Sequence, residues 1–374
     1  MKIVFITGSL APGIDGVGDH TRALAHACLR HGHKVRLLSI SEPNVPDSSS
    51  NIPDELRLTR QRWLAHQSAE SRRWITEFEP DWVSLQFVPY SYHPYGIFHS
   101  SVKPLTKLLS TVNRARRHVY FHEIWIGSHT GATMKERGLG GAQRWCTRRL
   151  LHQLKPDVIH TSNEYYRSEL NRLGWPTGRL RMFGNIPVQE APPSFVLPDI
   201  PSDALVCGHF GTLHPNWQPE PWLSDFAELA SKLGRPPVFI SVGALGRGFE
   251  TFAKLQAKEQ GRIKFVCLGK KTNVELSQIF RHFDFALTSM PWVTVGKSGS
   301  AAALREHGLN VVVTAEGGGP RMGLSAEPEA ESYDGFIPYF RDRRCLEQAM
   351  VKPPPFQGVD RTAESFLTEL SHHG

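Results

Sequence analysis

The sequence predicts two doubly wound α/β domains that face each other across a cleft. Three observations predict this. Short apolar strands alternate with amphipathic helical segments from residue 2 to about residue 183. A stretch with five prolines in 18 residues, 186–203, interrupts the alternation. The alternation restarts at Leu205 and continues to about residue 314. Such repeats build parallel sheets with right-handed crossovers, and ligands bind beyond the carboxyl ends of the strands.

The proline-rich stretch sets the predicted domain boundaries. The first Rossmann-like domain spans residues 1–187, an extended linker spans 188–203, and the second domain spans 204–350. Prolines are typical of linkers because they hold the chain extended. Predicted strands begin at Lys2, Lys34, Pro80, Arg116, Asp157 and Arg179 in the first domain, and at Leu205, Pro237, Ile263, Phe285 and Asn310 in the second.

Composition excludes several classes of protein. The 374 residues are 40% hydrophobic and 21% charged, as in ordinary globular proteins. No apolar run approaches the roughly 20 residues of a spanning helix. The first residues are expected to form a buried strand, not a signal peptide. The five cysteines lack CxxC or Cys/His spacing, which favours a reducing cytoplasm and predicts neither disulfides nor a metal site.

The formal charge of +7 is unevenly distributed. Residues 101–155 contain 11 Lys or Arg but only two acidic residues, Glu123 and Glu136. Such a segment predicts an anionic partner, either a phosphate-bearing ligand or an acidic membrane surface. A merely solvated face is the alternative. Nucleic acid is not expected as a partner, because no known binding module accompanies the charge.

A glycine-rich loop, Gly8–Gly18, separates the first strand from the first helix. Glycine allows a backbone to approach a ligand closely. The loop does not match the dinucleotide fingerprint, and no acidic residue closes the second strand, so a nicotinamide cofactor is disfavoured. A turn needed only for packing is the alternative to a ligand-binding loop.

A second Gly/Ser-rich stretch, residues 291–300, runs into an Ala-rich helix. The first turn of a helix presents unpaired N–H groups and the positive end of the helix dipole, which suits a diphosphate. Lys297 adds a positive charge there. A Walker A loop would need glycine at position 291, where Pro291 stands, so an ATPase is rejected. A helix start capped by Ser298 or Ser300 without a ligand is the alternative.

Two further segments follow predicted strands of the first domain. His122-Glu123 ends the strand that begins at Arg116, where functional side chains of α/β folds collect. His122 could contact a sugar hydroxyl or act as a base, with Glu123 as its partner or as a base itself. The aromatic run 90–96 suits sugar stacking and equally suits loop packing.

Several of these segments together resemble retaining family 4 glycosyltransferases of the GT-B fold. The loop and helix around Gly13–Val35 resemble the start of that family, and His122-Glu123 resembles its His-Asp pair. Gly211-Thr212-Leu213 resembles its Gly-Arg-Leu loop, and 308–312 resembles its Gly-x-Pro-Val-Val strand. The similarity spans residues 1 to about 315 in the expected order. It also implies that the tail, 356–374, returns to the first domain after the stiff prolines 353–355.

The resemblance implies a nucleotide-sugar in the second domain and an acceptor in the first. The implied catalytic residues are His122, Glu123 and Lys297. The implied diphosphate-binding residues are Gly16, Val17, Gly18, Lys297, Ser298, Gly299, Ser300 and Arg247. The implied nucleoside-binding residues are Gly243, Leu268, Gly269 and Glu306, and the acceptor-binding residues are Asp19, Tyr92, His93 and Tyr95. No metal and no cofactor beyond the donor substrate are expected.

The sequence departs from the family at the donor site. The glutamate pair that members carry around the Ala-rich helix falls at Val295 and Ala303 here, with Glu306 as the nearest carboxylate. The Arg and Lys that clamp the diphosphate fall at Thr212 and near Gln218. Lys297 and Arg247 are the remaining local cations.

The predicted function is therefore metal-independent, retaining transfer of a hexose from a nucleotide-sugar to a hydroxyl of a glycan or lipid-linked acceptor. Two alternatives stay open: an inactive GT-B protein that binds a sugar or nucleotide-sugar, and a nucleotide-sugar 2-epimerase. An epimerase would need carboxylates, for which Asp15, Asp19 and Glu123 are candidates. The expected setting is polysaccharide biosynthesis in the cytoplasm, with peripheral contact to the cytoplasmic face of the inner membrane as an option.

Overall fold

The computed structural model describes residues 1–12, 15–42, 54–65, 69–189, 195–197, 199–214, 217–323 and 335–373. These residues form two compact units. The first contains 1–181, 318–323 and 359–373, and the second contains 182–317 and 335–358 among the described residues. The sequence placed the first boundary at 187–188, and contacts place it at 181–182. Residues 318–323 lie in the first unit although they follow the second unit's strands in the sequence.

The first unit is built on a seven-stranded sheet of order β3-β2-β1-β4-β5-β6-β7 in which every pair is parallel. The strands are β1 (Lys2–Thr7), β2 (Lys34–Glu42), β3 (Glu55–Thr59), β4 (Trp82–Phe87), β5 (Arg116–Phe121), β6 (Val158–Thr161) and β7 (Gly178–Arg179). The helices are α1 (Gly16–Arg30), α2 (Arg60–Ala65), α3 (Ala69–Phe78), α4 (His99–Leu109), α5 (Met134–Leu154) and α6 (Glu164–Arg172).

The second unit has a six-stranded parallel sheet of order β10-β9-β8-β11-β12-β13. Its strands are β8 (Leu205–Phe210), β9 (Pro237–Val242), β10 (Lys264–Cys267), β11 (Phe285–Thr288), β12 (Val311–Val313) and β13 (Phe336–Pro338). Its helices are α7 (Glu220–Leu233), α8 (Phe249–Lys258), α9 (Asn273–Phe280), α10 (Trp292–Val295), α11 (Gly299–Glu306) and α12 (Leu346–Ala349). The predicted architecture of two doubly wound sheets is confirmed.

The strands of both sheets are largely buried, as in parallel sheets that helices cover on both faces. In the first unit, the Phe87 ring contacts Phe98 and Phe121 edge-on at centroid distances of 5.0 and 5.1 Å. In the second unit, Trp222 stacks on Phe226 at 5.1 Å beneath the sheet. Aromatic residues bury a large apolar area each, so these clusters hold the helices on the strands.

The last helix, α13 (Gly358–His372), belongs to the first unit apart from its first residue. Its Phe366 is fully buried and contacts the rings of Phe5 and His118 at 5.8 and 5.1 Å. The expected return of the C-terminal segment to the first domain is confirmed.

Several elements escaped prediction from the sequence. The α5 helix begins at Met134, although the amphipathic pattern in the sequence predicts a helix only from Gln143 to Leu154. Three glycines in its first half weaken the helical pattern, and the capping box of Thr133 and Glu136 marks the real start. The short helix α10 occupies part of the stretch predicted to be a loop. In the described part of the chain, no helix combines the length and the apolar composition that a bilayer-crossing segment requires.

Glu306 binds the backbone where the chain enters and leaves the second unit. Its Oε1 accepts a hydrogen bond from Gly184 N at 2.8 Å, and its carboxylate also receives the N–H of Gly358. The main-chain oxygen of Glu306 accepts from Phe356 N at 2.9 Å. Burial raises the pKa of the Glu306 carboxyl to about 7, although both hydrogen bonds favour the ionised form.

We expect Glu306→Gln to remove a pH dependence of stability. Between the usual pKa of 4.5 and about 7, native Glu306 keeps a proton that the unfolded chain has lost. Wild-type stability from this group therefore falls as pH rises through that window. Across this pH window, the free energy of unfolding of the glutamine variant should increase relative to that of the wild type by at most about 3 kcal/mol. Each pH unit between the two pKa values is worth about 1.4 kcal/mol.

Urea unfolding of both proteins at several pH values between about 4.5 and 8 measures this difference. The exposed Glu364 is the matched control, and Glu364→Gln should show no such trend. A difference between Glu306→Gln and wild type that stays constant over this range contradicts the burial of an ionisable carboxyl.

Candidate functional site

Glycines end three neighbouring strands of the second sheet. Gly211 follows β8 with φ of +91°, Gly243 follows β9 with φ of +96°, and Gly269 follows β10 with φ of +64°. Their turns are joined, because Gly243 N donates to the Gly269 oxygen at 2.8 Å. Residues with side chains rarely adopt such positive φ values. The predicted nucleoside-binding residues Gly243, Leu268 and Gly269 thus lie together at the carboxyl edge of this sheet.

The first turn of α11 lies against the same edge. The Ser298 side chain caps the helix by accepting from Ala301 N at 3.2 Å, and its Oγ lies 3.2 Å from that of Ser300. The Ser300 side chain is 3.3 Å from the position that a Cβ on Gly211 would occupy. The first N–H groups of a helix have no partner inside it. Lys297, half-buried, directly precedes the cap.

Two other predicted donor-site residues are placed differently. Arg247 is exposed in the 3₁₀ turn Gly246–Gly248, which packs on the loop after β8: a Cβ on Gly248 would lie 2.3 Å from the Leu213 oxygen. Arg247 therefore lies at the carboxyl edge of the second sheet, near Gly211, Gly243 and Gly269. Glu306 is at the other end of α11, 4% exposed, with its carboxylate hydrogen-bonded to backbone.

The start of α1 already holds an anion of its own. The Asp15 carboxylate caps the helix, accepting from Val17 N at 3.0 Å and also interacting with Gly18 N. Gly18 packs against the preceding loop, because a Cβ there would lie 2.3 Å from the Ser9 oxygen. A diphosphate at Val17 and Gly18 would have to compete with Asp15. Gly16 has open space around its Cα, and Asp19 lies half-buried in the same turn.

His122 follows β5 and is buried in the first unit. Its ring lies 4.3 Å from that of Tyr120 and 4.8 Å from that of His20, and its Nε2 is 2.9 Å from Gln86 Oε1. Burial, together with His20 and His118, holds the pKa of His122 well below its usual value. His122 is therefore neutral at physiological pH, with one ring nitrogen protonated and the other an acceptor.

A continuous chain of hydrogen bonds connects His122 to the last helix. Gln86 Nε2 donates to Ser84 Oγ at 2.9 Å, and Ser84 Oγ lies 2.8 Å from His118 Nδ1. His118 Nε2 lies 3.0 Å from His160 Nδ1. His160 Nε2 in turn binds Glu369 Oε2 on α13. Four side chains of β4, β5 and β6 thus connect His122, just after β5, to one residue of α13 on one face of the sheet.

The carboxylate at the end of this chain fixes the direction of every bond. Burial opposes ionisation of Glu369, but the hydrogen bond from His160 and the electrostatic interactions with His160, His372 and His373 together outweigh burial. They lower the pKa of Glu369, so its carboxylate only accepts. A neutral His160 then donates through Nε2 and accepts at Nδ1, and His118, whose pKa burial lowers well below the usual value, does the same. Ser84 donates to His118 and accepts from Gln86. His122 consequently donates through Nε2, which leaves Nδ1 as the unprotonated nitrogen.

Of the remaining predicted acceptor residues, His93 and Tyr95 lie together in one loop, whereas Tyr92 lies in the core. Tyr92 is 1% exposed and stacks on Phe87 at 5.7 Å inside the core, so its ring is not available to a sugar. His93 accepts from Tyr95 N at 3.2 Å and orders the loop, and Tyr95 is 66% exposed. Glu123 is half-buried after His122. Among the described residues, no three His, Cys, Asp or Glu side chains are arranged to hold a metal ion.

Similarity to known proteins is visible in the structure and not in the sequence. No protein-family model matches the sequence, and no curated protein matches it either. Solved glycosyltransferase structures match almost the whole chain. Sucrose-phosphate synthase of Thermosynechococcus elongatus has a TM-score of 0.59 and 12% identity over 100% of this chain and 98% of that one.

The chain has the GT-B fold. The HepE protein of Anabaena, in complex with UDP-glucose, superposes with a TM-score of 0.54 and 14% identity over 99% of this chain and 100% of that one. UDP-GlcNAc 2-epimerase of Methanocaldococcus jannaschii gives 0.51 and 13%, with 100% of both chains covered. At these identities the likeness establishes the fold alone.

Sequence reasoning missed most of the hydrogen-bonded chain. It found His122 but not Gln86, Ser84, His118, His160 or Glu369. A signal was present: His118, Tyr120 and His122 alternate along the end of β5, so all three point to one face, and the residues between them, Val119 and Phe121, are apolar. Polar residues in that position need partners, which the neighbouring strands supply.

We expect ¹⁵N NMR of the histidine rings to show His122 with a protonated Nε2 and an unprotonated Nδ1. In Glu369→Ala the acceptor that sets the direction of the chain is lost, so His160 and His118 should populate the second tautomer and the His122 signals should shift. Glu364→Ala, at an exposed position of the same helix, is the control and should change none of them. A protonated Nδ1 at His122 in the wild type would contradict the derived direction.

Proposed function

We propose that the protein is a glycosyltransferase that moves a sugar from a nucleotide-sugar to a hydroxyl of an acceptor. The observation that carries the proposal is the position of Ser300, on the first turn of α11, beside Gly211 at the carboxyl edge of the second sheet. This places a helix N-terminus next to three adjoining glycine turns. A diphosphate suits the former and a nucleoside the latter. Neighbours with this fold hold UDP and UDP-glucose, which makes a UDP-sugar the first donor to test.

Stabilisation of the leaving group is the chemistry that this edge can supply. When the bond from the anomeric carbon to the diphosphate breaks, negative charge develops on the diphosphate oxygens. Donors that are fixed in advance near those oxygens lower the barrier. The first-turn N–H groups of α11, the Ser298 and Ser300 hydroxyls and the Lys297 ammonium are such donors. Arg247 adds a second cation at the same edge. These groups replace the glutamate pair and the Arg/Lys clamp that the sequence lacks.

His122 has a narrower role in this proposal than the sequence suggested. Its Nε2 proton is committed to Gln86, and its ring is neutral. The remaining nitrogen, Nδ1, accepts a hydrogen bond from a sugar hydroxyl. It does not donate to the leaving phosphate. Glu123, in the next position, is the carboxylate nearest in sequence, and it takes the proton of the acceptor hydroxyl.

The finer points of the proposal follow from the resemblance to retaining family 4. They are retention of the anomeric configuration, a hexose as the transferred group, and transfer without a metal ion. The sequence contains no Asp-x-Asp motif of the kind that holds a metal on a nucleotide-sugar. The basic segment 101–155 favours a lipid-linked acceptor or peripheral contact with an acidic membrane in polysaccharide biosynthesis at the cytoplasmic face. Exposed Met134 and Trp145 on α5 accompany that charge.

A panel of nucleotide-sugars that includes UDP-glucose and UDP-GlcNAc tests the activity. We expect release of the nucleoside diphosphate by hydrolysis or transfer, unaffected by EDTA. An epimerised donor would instead support a 2-epimerase. The structural likeness to the Methanocaldococcus jannaschii enzyme is the reason to test this alternative. Donor binding with no turnover would support a binding protein. Absence of any binding across the panel overturns the proposal.

We expect Lys297→Ala to weaken UDP binding about tenfold, the effect of losing about 1.4 kcal/mol of charge-assisted hydrogen bonding, and to slow transfer by at least as much. Lys254→Ala on α8 removes the same charge from an exposed position of the same unit and is the control. Calorimetry of UDP binding and initial rates measure both effects. Equal UDP affinity in Lys297→Ala and Lys254→Ala would remove Lys297 from the donor site.

A further inference from the structure

A pocket of about 610 Å³ lies in the first unit, and its lining contains neither His122 nor any residue assigned to the donor site. It lies beside the loop that joins β5 to α5, a few residues after His122. The loop and the helix meet closely, because a Cβ on Gly140 would lie 1.8 Å from the Ile126 oxygen. Pockets of 300–1,000 Å³ are the size that small ligands occupy.

A segment from the second half of the sequence completes this pocket. Residues 318–323 pair with the loop after β5 through a bridge between His129 and Pro320. Thr130 N donates to the Gly319 oxygen at 3.0 Å, and Arg321 N donates to the Ser128 oxygen at 3.0 Å. The position of Arg321 in the pocket is therefore set by backbone hydrogen bonds.

The pocket is strongly positive. Four arginines line it, and a single acid, Glu169, lines it with them. Glu169 pairs with Arg172 at 2.7 Å. The side chains of the other three make no ion pair within the described ranges; they are Arg137, Arg144 and Arg321. Three positive charges that converge on one concave surface require an anion or water to screen their repulsion.

The buried polar atoms of the pocket that lack partners are all donors. Trp125 is 5% exposed, and its indole Nε1 has no hydrogen-bond acceptor among the described residues. The Nε of Arg137 is also buried and without an acceptor there. Buried donors are rarely left unpaired, so each indicates an acceptor that the described residues do not supply. Donors of fixed position and guanidinium groups together match the oxygens of a phosphate.

We propose that this pocket binds a phosphate or diphosphate group carried by the acceptor substrate. That the bound molecule is the acceptor rests on the proposed transferase function. That the pocket binds an anion rests on the pocket itself. The group is either that of a soluble sugar phosphate or the headgroup of a phosphorylated lipid. Both present the same oxygens, and the pocket's position near the end of β5 puts the acceptor on the His122 side of the first sheet.

Isothermal titration with inorganic pyrophosphate tests the soluble source. Arg144 and Arg148 are exposed arginines one helical turn apart on α5, and only Arg144 lines the pocket. We expect Arg144→Gln and Arg321→Gln each to weaken pyrophosphate binding about tenfold and Arg148→Gln to change it less than about twofold. The wild-type affinity should fall as salt is added.

The same titrations are repeated with excess UDP, which would fill the donor edge of the second unit. Dependence on Arg144 and Arg321 in both conditions assigns the pocket whether or not the donor proposal holds. If pyrophosphate binds without UDP but not in the presence of excess UDP, the anion site is the donor edge, and the proposal for this pocket is overturned.

Flotation with phosphatidylcholine vesicles that contain phosphatidic acid tests the lipid source. Binding that Arg144→Gln and Arg321→Gln reduce and Arg148→Gln preserves supports the pocket and identifies a lipid headgroup. If Arg144→Gln and Arg148→Gln lose vesicle binding equally, the binding reflects general surface charge and not the pocket, and the proposal is overturned. So does the absence of binding to both pyrophosphate and vesicles.

Discussion

Parallel pairing of the strands is the constraint on which the rest of the structure depends. Because every strand in both sheets runs parallel to its neighbours, each connection must cross over a face of the sheet, and all carboxyl ends meet at one edge. The turns that leave that edge are short and bend sharply. Gly211, Gly243 and Gly269 accept the positive φ that such bends require. The same constraint brings His122 and the loop that forms the arginine pocket to one edge of the first sheet.

Periodicity predicted the architecture because strand and helix alternation is a local property. Two sheets, the interruption near residues 186–203 and the helix after Ser298 all follow from patterns within short windows of sequence. The contents of the sites follow less well. Arg321 reaches the first unit through backbone pairing with residues almost 200 positions earlier, and no local pattern predicts that. Glu306 looked like a ligand-binding carboxylate from its place near the Ala-rich helix, but its partners, Gly184 and Gly358, are remote in sequence.

The hydrogen-bonded chain from His122 to Glu369 combines burial with direction. Each polar side chain in it is satisfied by the next, so the cost of removing it from water is offset. Neutral histidines suit such a chain, since each can accept at one nitrogen and donate at the other. A carboxylate at one end turns a set of ambiguous bonds into an ordered one. The Glu369 carboxylate on α13 thus sets which ring nitrogen of His122 carries the proton, through the four side chains between them.

The return of α13 to the first unit also bears on how the protein is made. Phe366, Ala363 and Leu370 are fully buried against the first sheet, and Phe366 contacts a ring of the opening strand. The ribosome delivers these residues only after the whole second unit. While the second unit is being synthesised, the first unit therefore exposes the apolar face that α13 later covers. The units of many two-domain chains instead fold in the order in which they emerge from the ribosome. A chaperone that shields this face during translation would therefore have to stay bound to the first unit until the second unit and α13 have been synthesised.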